Sequence, residues 1–164
     1  MGIVINRHCP ITLQTIFDRV GVLCSEPSFE ETFVFEGGPV QIGRGFILHN
    51  AGPSYSSTMK ISDDVYLSTS KDVLEALVKH ENEPEKFLLA LGYSGWEAGQ
   101  LEGELEMGDW LLVPADESII FDTEVDKRYN AALALIGLDK NDLESWTAGE
   151  AVSYTHLRAH ETGA

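Results

Sequence analysis

Basic residues are scarce in this 164-residue chain, in which 11 lysines and arginines stand against 27 aspartates and glutamates, for a formal net charge of -16. Proteins that bind DNA draw much of their affinity from basic side chains that displace counterions from phosphates. Here the basic residues are scattered, and the longest run is the pair Lys127-Arg128. The composition therefore disfavours direct binding of nucleic acid.

Cysteines and long apolar runs are also few. Cys9 and Cys24 lack the spacing of a metal or redox motif, which predicts reduced thiols in a cytoplasmic protein and no metal site. The longest strictly apolar runs, such as residues 87–91 and 131–136, are far too short to span a bilayer, so no membrane partner is expected. The glycines of residues 37–45 lack the Gly-Lys-Ser/Thr ending of a P-loop, and no cofactor is predicted.

Both ends of the chain are atypical. Residues 2–5 form a strand-like apolar run directly after Met1, which is typical of a domain that lacks its N-terminal strands. Near the other end, Val152–Leu157 matches a translated sequencing adapter, and the residues after it show no periodicity. We therefore expect one N-terminally truncated domain over residues 1–151, followed by a non-native, adapter-derived tail over residues 152–164.

Hydrophobic periodicity predicts strands and helices in irregular alternation. Helices are expected after Thr12, after Ser70, over residues 97–107 and after Thr123. Residues 26–31 are expected to form a loop. Strands are expected at residues 2–6, 32–35, 46–49, 87–91, 110–113 and 119–121, with a hairpin over residues 58–68. This pattern indicates an α+β fold, in which a mixed β-sheet packs against helices within a single domain.

Several ordered motifs resemble those of the YqgE/AlgH family of bacterial proteins over residues 2 to about 151. The resemblance implies an α+β fold and a cytoplasmic location. Members of this family are usually labelled transcriptional regulators, and no catalytic activity or cofactor is established for them, so no catalytic residue is implied. The motifs are Gly2-Ile3-Val4-Ile5-Asn6-Arg7, Gly37-Gly38-Pro39-Val40, Arg44-Gly45-Phe46-Ile47-Leu48-His49, Ser68-Thr69-Ser70-Lys71-Asp72-Val73-Leu74, the run from Leu91 through Trp96 to Leu105, Trp110-Leu111 and Pro114-Ala115-Asp116. The sequence departs from the family at His8-Cys9-Pro10, where proline usually follows the Asn-Arg pair directly.

The segment Gly92-Tyr93-Ser94-Gly95-Trp96 has three interpretations. It resembles the nucleophile elbow of a hydrolase, but Trp96 stands where that turn requires glycine. Alternatively, Ser94 and Glu97 form a capping box at a helix start. A third interpretation is a ligand site, in which the helix start attracts an anion, Tyr93 and Trp96 form an apolar wall, and Gln100 faces the same way.

The other polar candidates for ligand binding are Asn6, Arg44 and His49. Asn6 belongs to the Asn-Arg pair of the first motif that resembles the YqgE/AlgH family. Arg44 is suited to clamp a carboxylate or phosphate, or to pair with a nearby glutamate. His49 titrates near neutrality unless it is a hydrogen-bonded structural residue. We expect a non-enzymatic regulator that acts through a protein partner or a small ligand rather than on DNA, and a serine hydrolase that uses Ser94 is the alternative.

Overall fold

A computed structural model of the chain describes residues 1–50 and 52–147. It contains two compact units, of which the first is Met1–Gly95 and the second begins at Trp96. The predicted tail, residues 152–164, lies outside the described residues. Within the described ranges, no helix has both the length and the apolar character that crossing a membrane requires.

The first unit is built on a mixed β-sheet. The strand order is β1-β2-β6-β3-β5-β4, and β2 runs parallel to β6 while the other neighbours are antiparallel. Together with the helices, this sheet confirms the predicted α+β fold. The strands found among the described residues are β1 (His8–Thr12), β2 (Phe33–Glu36), β3 (Val40–Asn50), β4 (Thr58–Lys60), β5 (Val65–Ser68) and β6 (Phe87–Tyr93).

Three helices of the first unit, α1 (Leu13–Val20), α2 (Pro27–Glu31) and α3 (Lys71–Lys79), share one apolar core with the sheet. Helix α1 begins where predicted because the Thr12 side chain accepts a hydrogen bond from the Thr15 amide. The core residues recur at helical spacing and meet alternate residues of the strands. They include Leu13, Ile16, Phe17, Phe29, Val73, Leu74 and Leu77 from the helices, and Val34, Ile47 and Leu89 from the sheet.

Strand β3 is buried on both faces over its second half. Ile47 belongs to the core shared with the helices, whereas Phe46 and Leu48 point to the opposite face because side chains alternate along a strand. Both of these residues are buried, and in the antiparallel register Phe46 lies opposite Ala90 of β6. A strand covered on both faces explains the continuous apolar run of residues 46–48.

Two predictions for the first unit are wrong. Residues 2–6 do not form a regular strand, because Gly2 bridges to Ser94 while the Val4 amide donates to the Gly37 carbonyl, so that no single partner strand accompanies them. Residues 26–31 are not a loop throughout, since they contain α2. Pro27 suits the first turn of a helix, and burial of Phe29 anchors α2 against α1.

Glycines allow the chain between β2 and β3 to pass in direct backbone contact with β6. A Cβ atom on Gly37 would lie 2.3 Å from the Gly92 carbonyl oxygen, and one on Gly92 would lie 2.4 Å from that of Gly38. Gly92 also has φ of +77°, where side chains other than glycine are strained. This crossing sets Tyr93 opposite Val40 at the beginning of β3.

The second unit contains α4 (Gln100–Glu106), a π-helical turn (Ser118–Asp122), a 3-10 turn (Val125–Lys127), α5 (Arg128–Leu135) and α6 (Lys140–Thr147). The strands predicted at residues 110–113 and 119–121 are wrong. Residues 110–113 adopt no regular structure, and residues 119–121 belong to the π-helical turn. The Asp116 carboxylate stabilises that turn by accepting hydrogen bonds from the Ile119 amide (3.1 Å) and the Ser118 hydroxyl (2.6 Å).

Candidate functional site

A groove of about 380 Å³, here named the Arg44 groove, opens on the first unit. Phe46 and Leu67 form its floor, and both point away from the core that the sheet shares with α1 and α3. Serine and threonine hydroxyls form one wall. The residues that line it are Met1, Arg44, Phe46, Ser56, Ser57, Thr58, Met59, Leu67, Thr69 and Tyr93.

Arg44 is the one basic side chain among the described residues that line this groove. Its guanidinium carbon lies 5.3 Å from the centre of the Phe46 ring, a cation–π arrangement. The Tyr93 ring stands edge-on to the same phenylalanine, with 5.5 Å between the ring centres. Arg44 donates a hydrogen bond to the Gln41 side-chain oxygen (3.3 Å), and it takes part in no ion pair with the described residues. Among the described residues, the structure therefore does not show the alternative in which Arg44 pairs with a nearby glutamate.

Asp72 holds the hydroxyl wall in place. Its carboxylate accepts hydrogen bonds from the Ser56 amide (2.7 Å), the Ser56 hydroxyl (2.8 Å) and the Ser70 hydroxyl. Burial acts to raise the pKa of Asp72, but these hydrogen bonds outweigh it and hold the pKa below its ordinary value. The neighbouring Ser57 and Thr69 hydroxyls lie 2.8 Å apart. The wall is thus fixed to the first turn of α3 by an ionised side chain.

His49 lies under the wall, on the face of the sheet that carries the helices, and it is 0% exposed. Nδ1 donates to the Asn50 carbonyl (3.0 Å), because a carbonyl oxygen only accepts, so that Nε2 accepts from the Ser68 hydroxyl (2.8 Å). The Ser68 hydroxyl in turn lies 2.9 Å from that of Thr58, which accepts from the Tyr55 amide. This buried chain of hydrogen bonds supports Thr58, a wall residue, from below.

The Ser68 hydroxyl and His49 Nε2 are as close as a catalytic serine and its general base, but both side chains are 0% exposed. The His49 ring is also enclosed by the stacked ring of Tyr66 and the edge-on ring of Tyr55. A substrate cannot reach either atom without opening the core. We therefore assign His49 the role of a hydrogen-bonded structural residue rather than that of a ligand-binding residue.

His49 is expected to remain neutral, as the Nδ1–H tautomer, at pH 6.5, its ordinary pKa. Burial lowers the pKa of His49, and the hydrogen bond to Asn50 opposes this only in part. Below pH 6.5 the histidine of the unfolded chain binds a proton, whereas the buried His49 of the folded chain does not. The free energy of unfolding is therefore expected to decrease as the pH falls below 6.5. Long-range ¹H–¹⁵N NMR spectra of the histidine rings measure both the tautomer and the titration.

His80 is the internal control for this measurement. Hydrogen bonds that the His80 ring donates to the Glu83 and Glu26 carboxylates raise the pKa of His80, so it is expected to titrate above His49 in the same spectra. If His49 titrated at or above 6.5, or carried its proton on Nε2, the assignment of the buried network would be wrong.

Ser94 does not form the predicted capping box with Glu97. Its backbone amide and carbonyl pair with Gly2 (both 2.8 Å), and α4 begins only at Gln100 with Gly99 as its N-cap residue. The Glu97 backbone amide instead donates a hydrogen bond to the Gln100 side-chain oxygen (3.0 Å). Among the described residues, the hydrogen bonds of His49 and His80 go to other partners, and none joins the Ser94 hydroxyl to a histidine or carboxylate, so the structure does not support a serine hydrolase.

Trp96 and Gln100 are brought together in the second unit through Glu104. The indole nitrogens of Trp96 (3.0 Å) and Trp110 (2.6 Å) both donate to Glu104 Oε2. The side-chain nitrogen of Gln100 donates to Glu104 Oε1 (3.0 Å). These hydrogen bonds, from Trp110 first and then Trp96, lower the pKa of Glu104. Glu104 thus joins Trp96, Gln100 and Trp110 through one carboxylate, and Trp96 is a hydrogen-bonded structural residue.

Of the predicted site residues in the first unit, the structure brings together only Arg44 and Tyr93. Asn6 is an exposed bend residue, and it does not line the groove. Sequence reasoning missed the hydroxyl wall and Asp72. The available signal was the run Ser54-Tyr55-Ser56-Ser57-Thr58, whose hydroxyls precede a strand and exceed what a simple turn requires. Over the described part of the chain, no three His, Cys, Asp or Glu side chains are grouped to hold a metal ion.

Comparisons with known proteins agree on one family. A family model described as AlgH-like matches residues 1–141. A UPF0301 protein of Chromobacterium violaceum is 43% identical over 145 residues, which are 88% of this chain and 77% of that protein. A UPF0301 protein of Thiobacillus denitrificans is 48% identical over 139 residues, which are 85% and 74% of the two chains.

Solved structures show the same relationship. The solution structure of the AlgH protein from Pseudomonas aeruginosa is similar to this chain with a TM-score of 0.72 and 40% identity, over 93% of this chain and 79% of that one. A crystal structure of a protein from Corynebacterium diphtheriae has a TM-score of 0.56 at 16% identity, over 78% of this chain and 68% of that one. The second likeness concerns the fold alone.

Proposed function

Because this chain belongs to the AlgH-like family, we propose that it is a non-enzymatic regulatory module whose ligand is a small organic anion bound in the Arg44 groove. The observation that carries the proposal is the state of Arg44. In a chain with 27 acidic residues, this guanidinium forms no ion pair with the described residues and stands over an aromatic floor. An arginine placed in this way presents its planar donors to an incoming carboxylate or phosphate.

The remainder of the groove selects the kind of anion. Its volume of about 380 Å³ lies in the range of small-molecule pockets. Phe46, Leu67, Met59 and Tyr93 offer apolar and aromatic surface next to the charge, which suits a ligand with a ring beside its anionic group. The Ser57 and Thr69 hydroxyls can donate to that group or accept from it. The described residues that line the groove include no acidic side chain. The ionised Asp72 carboxylate lies behind the wall, where hydrogen bonds from Ser56 and Ser70 offset its charge.

The same charge distribution argues against DNA as the ligand. A net charge of -16 repels a polyanion over most of the surface, whereas a small anion needs only the local field of Arg44. Regulation would then pass from the bound ligand to a protein partner. Residues 54–58 are placed to transmit it, since Asp72 and the Ser68–Thr58 hydrogen bond connect this loop to the core.

Calorimetric titration with phenyl phosphate, benzoate and neutral benzyl alcohol tests the proposal. We expect both anions to bind more tightly than the alcohol. Arg44→Gln should weaken anion binding by about tenfold, since a charge-assisted hydrogen bond is worth about 1.5 kcal/mol, and Arg44→Lys should retain part of the affinity.

Arg7→Gln is the matched control, because it removes the same charge from an exposed residue outside the groove. Its affinity for the anions should equal that of the unaltered chain. If Arg44→Gln and Arg7→Gln bound the anions equally well, or if the alcohol bound as tightly as benzoate, the groove would not be the site.

A further inference from the structure

A second cavity, of about 210 Å³, lies on the opposite face of β3, among the helices of the first unit. We name it the α1–α3 cavity. Its floor is aliphatic, formed by Ile16, Leu74, Leu89 and Leu91. The Arg44 groove lies on the other side of the strand, and only Thr69 lines both.

Two glycines create this space. Gly43 and Gly45 alternate with Arg44 and Phe46, so they face the helices. A Cβ atom on Gly43 would meet nothing within 4 Å, and one on Gly45 would meet only a Leu89 methyl group at 4.0 Å. Neither glycine has a positive φ. Neither packing nor backbone geometry therefore requires glycine at these positions, although glycine weakens a strand interior and often marks the close approach of a ligand.

Arg19 and Lys71 make the rim of the cavity positive. Arg19 lies in the last turn of α1, and Lys71 is the first residue of α3. Neither side chain has a hydrogen-bonding or ionic partner among the described residues, and none of the described residues that line the cavity is acidic. Two unpaired cations beside an aliphatic floor are unusual in a chain with so few basic residues.

We propose that the α1–α3 cavity binds a short aliphatic carboxylate, with the hydrocarbon against the floor and the carboxylate at Arg19 and Lys71. The volume suffices, because a cavity of about 150 Å³ already holds benzene. The aliphatic lining favours a flexible chain over a ring. This site is independent of the Arg44 groove, and either one can bind its ligand if the other does not.

Titration of the ¹⁵N-labelled protein with hexanoate tests this site, with hexan-1-ol as the neutral analogue. We expect saturable shifts of the amides that line the cavity, and weaker binding of the alcohol. Arg19→Gln and Lys71→Gln should each weaken hexanoate binding several-fold and leave hexanol binding unchanged. Lys79→Gln is the control, since it removes the same charge from the other end of α3, outside this cavity.

Gly45→Val is the complementary test, because its side chain fills the cavity while valine favours a strand. It should abolish binding of both compounds and preserve the dispersed amide spectrum. If that spectrum collapses, Gly43→Ala, whose Cβ atom meets nothing within 4 Å, should weaken binding of both compounds in a folded chain. The proposal is overturned if hexanoate shifts no cavity amide saturably, if Lys71→Gln binds it as Lys79→Gln does, or if a folded glycine variant binds hexanoate unchanged.

Discussion

Replacing Gly92 by alanine is expected to lower the free energy of unfolding of the first unit by about 2–5 kcal/mol. The left-handed backbone conformation accounts for about 1–2 kcal/mol of this loss. The remainder comes from the new methyl group, which would lie 2.4 Å from the Gly38 carbonyl oxygen and 3.1 Å from that of Val40. Both contacts are with backbone, so no flexible side chain can move aside, and β3 and β6 must separate where Tyr93 joins the Arg44 groove.

Gly21→Ala separates the two causes. Gly21 has nearly the same φ, +75° against +77°, but nothing lies within 4 Å of its added Cβ atom. It should therefore cost only about 1–2 kcal/mol. Urea unfolding followed by circular dichroism measures both variants. Equal destabilisation by the two substitutions would show that the close approach of residues 37–38 to Gly92 has no energetic role.

Ser68→Ala is expected to lower the free energy of unfolding by about 1–3 kcal/mol, the penalty for leaving buried polar groups unpaired. The substitution removes the donor to His49 Nε2 and a partner of the Thr58 hydroxyl, while Ser68 and His49 are both fully buried. Water cannot replace the lost hydrogen bond without entering the core. The loss should also raise the mobility of residues 55–58, because Thr58 connects them to β5.

Ser57→Ala is the matched control for Ser68→Ala. It deletes the same atom from an exposed residue, whose hydroxyl bonds to Thr69 at the protein surface. Its effect should stay within about 0.5 kcal/mol. Thermal unfolding of both variants at pH 7 provides the comparison. At this pH His49 is neutral in the folded chain and in most unfolded molecules. An equal effect of both substitutions would contradict the structural role assigned to the buried network.

The sequence predicts the first unit better than the second, for a physical reason. Helix α1, the hairpin β4–β5, helix α3 and strand β6 each carry their own periodicity and boundary residues, such as Thr12 and Gly21 at the ends of α1. The segment from Trp110 to Asp122 carries no such periodicity or boundary residues, because its structure depends on hydrogen bonds to side-chain carboxylates. Asp116 bonds the π-helical turn and Glu104 bonds two indoles, and hydrophobic patterning carries no signal for such bonds.

The candidate site was predictable only in part. The sequence singles out Arg44 as a candidate clamp for an anion and Tyr93 as part of an apolar wall, and the structure places both at the Phe46 ring. Their partners Ser57 and Thr69 come from separate segments, and antiparallel pairing of β4 with β5 brings these together. Ser94 is misleading because the segment after β6 resembles both a nucleophile elbow and a capping box, whereas its actual partner, Gly2, is distant in sequence.

One strand therefore carries both proposed sites. In β3, Arg44 and Phe46 face the groove while Gly43 and Gly45 face the α1–α3 cavity, as the alternation of a strand requires. Variants at alternate positions can therefore affect one ligand without touching the other. This separation makes the two proposals independently testable in a single protein preparation.

Titration of the ¹⁵N-labelled protein with phenyl phosphate and with a duplex DNA, both at physiological salt, tests the role of the Arg44 groove most directly. We predict saturable shifts of amides near Arg44, Phe46 and Thr69 with phenyl phosphate, their loss in Arg44→Gln, and no saturable shifts with the duplex. Submicromolar binding of the duplex that weakens steeply as salt rises, or phenyl phosphate that leaves the groove amides unshifted, would contradict a small-anion regulator.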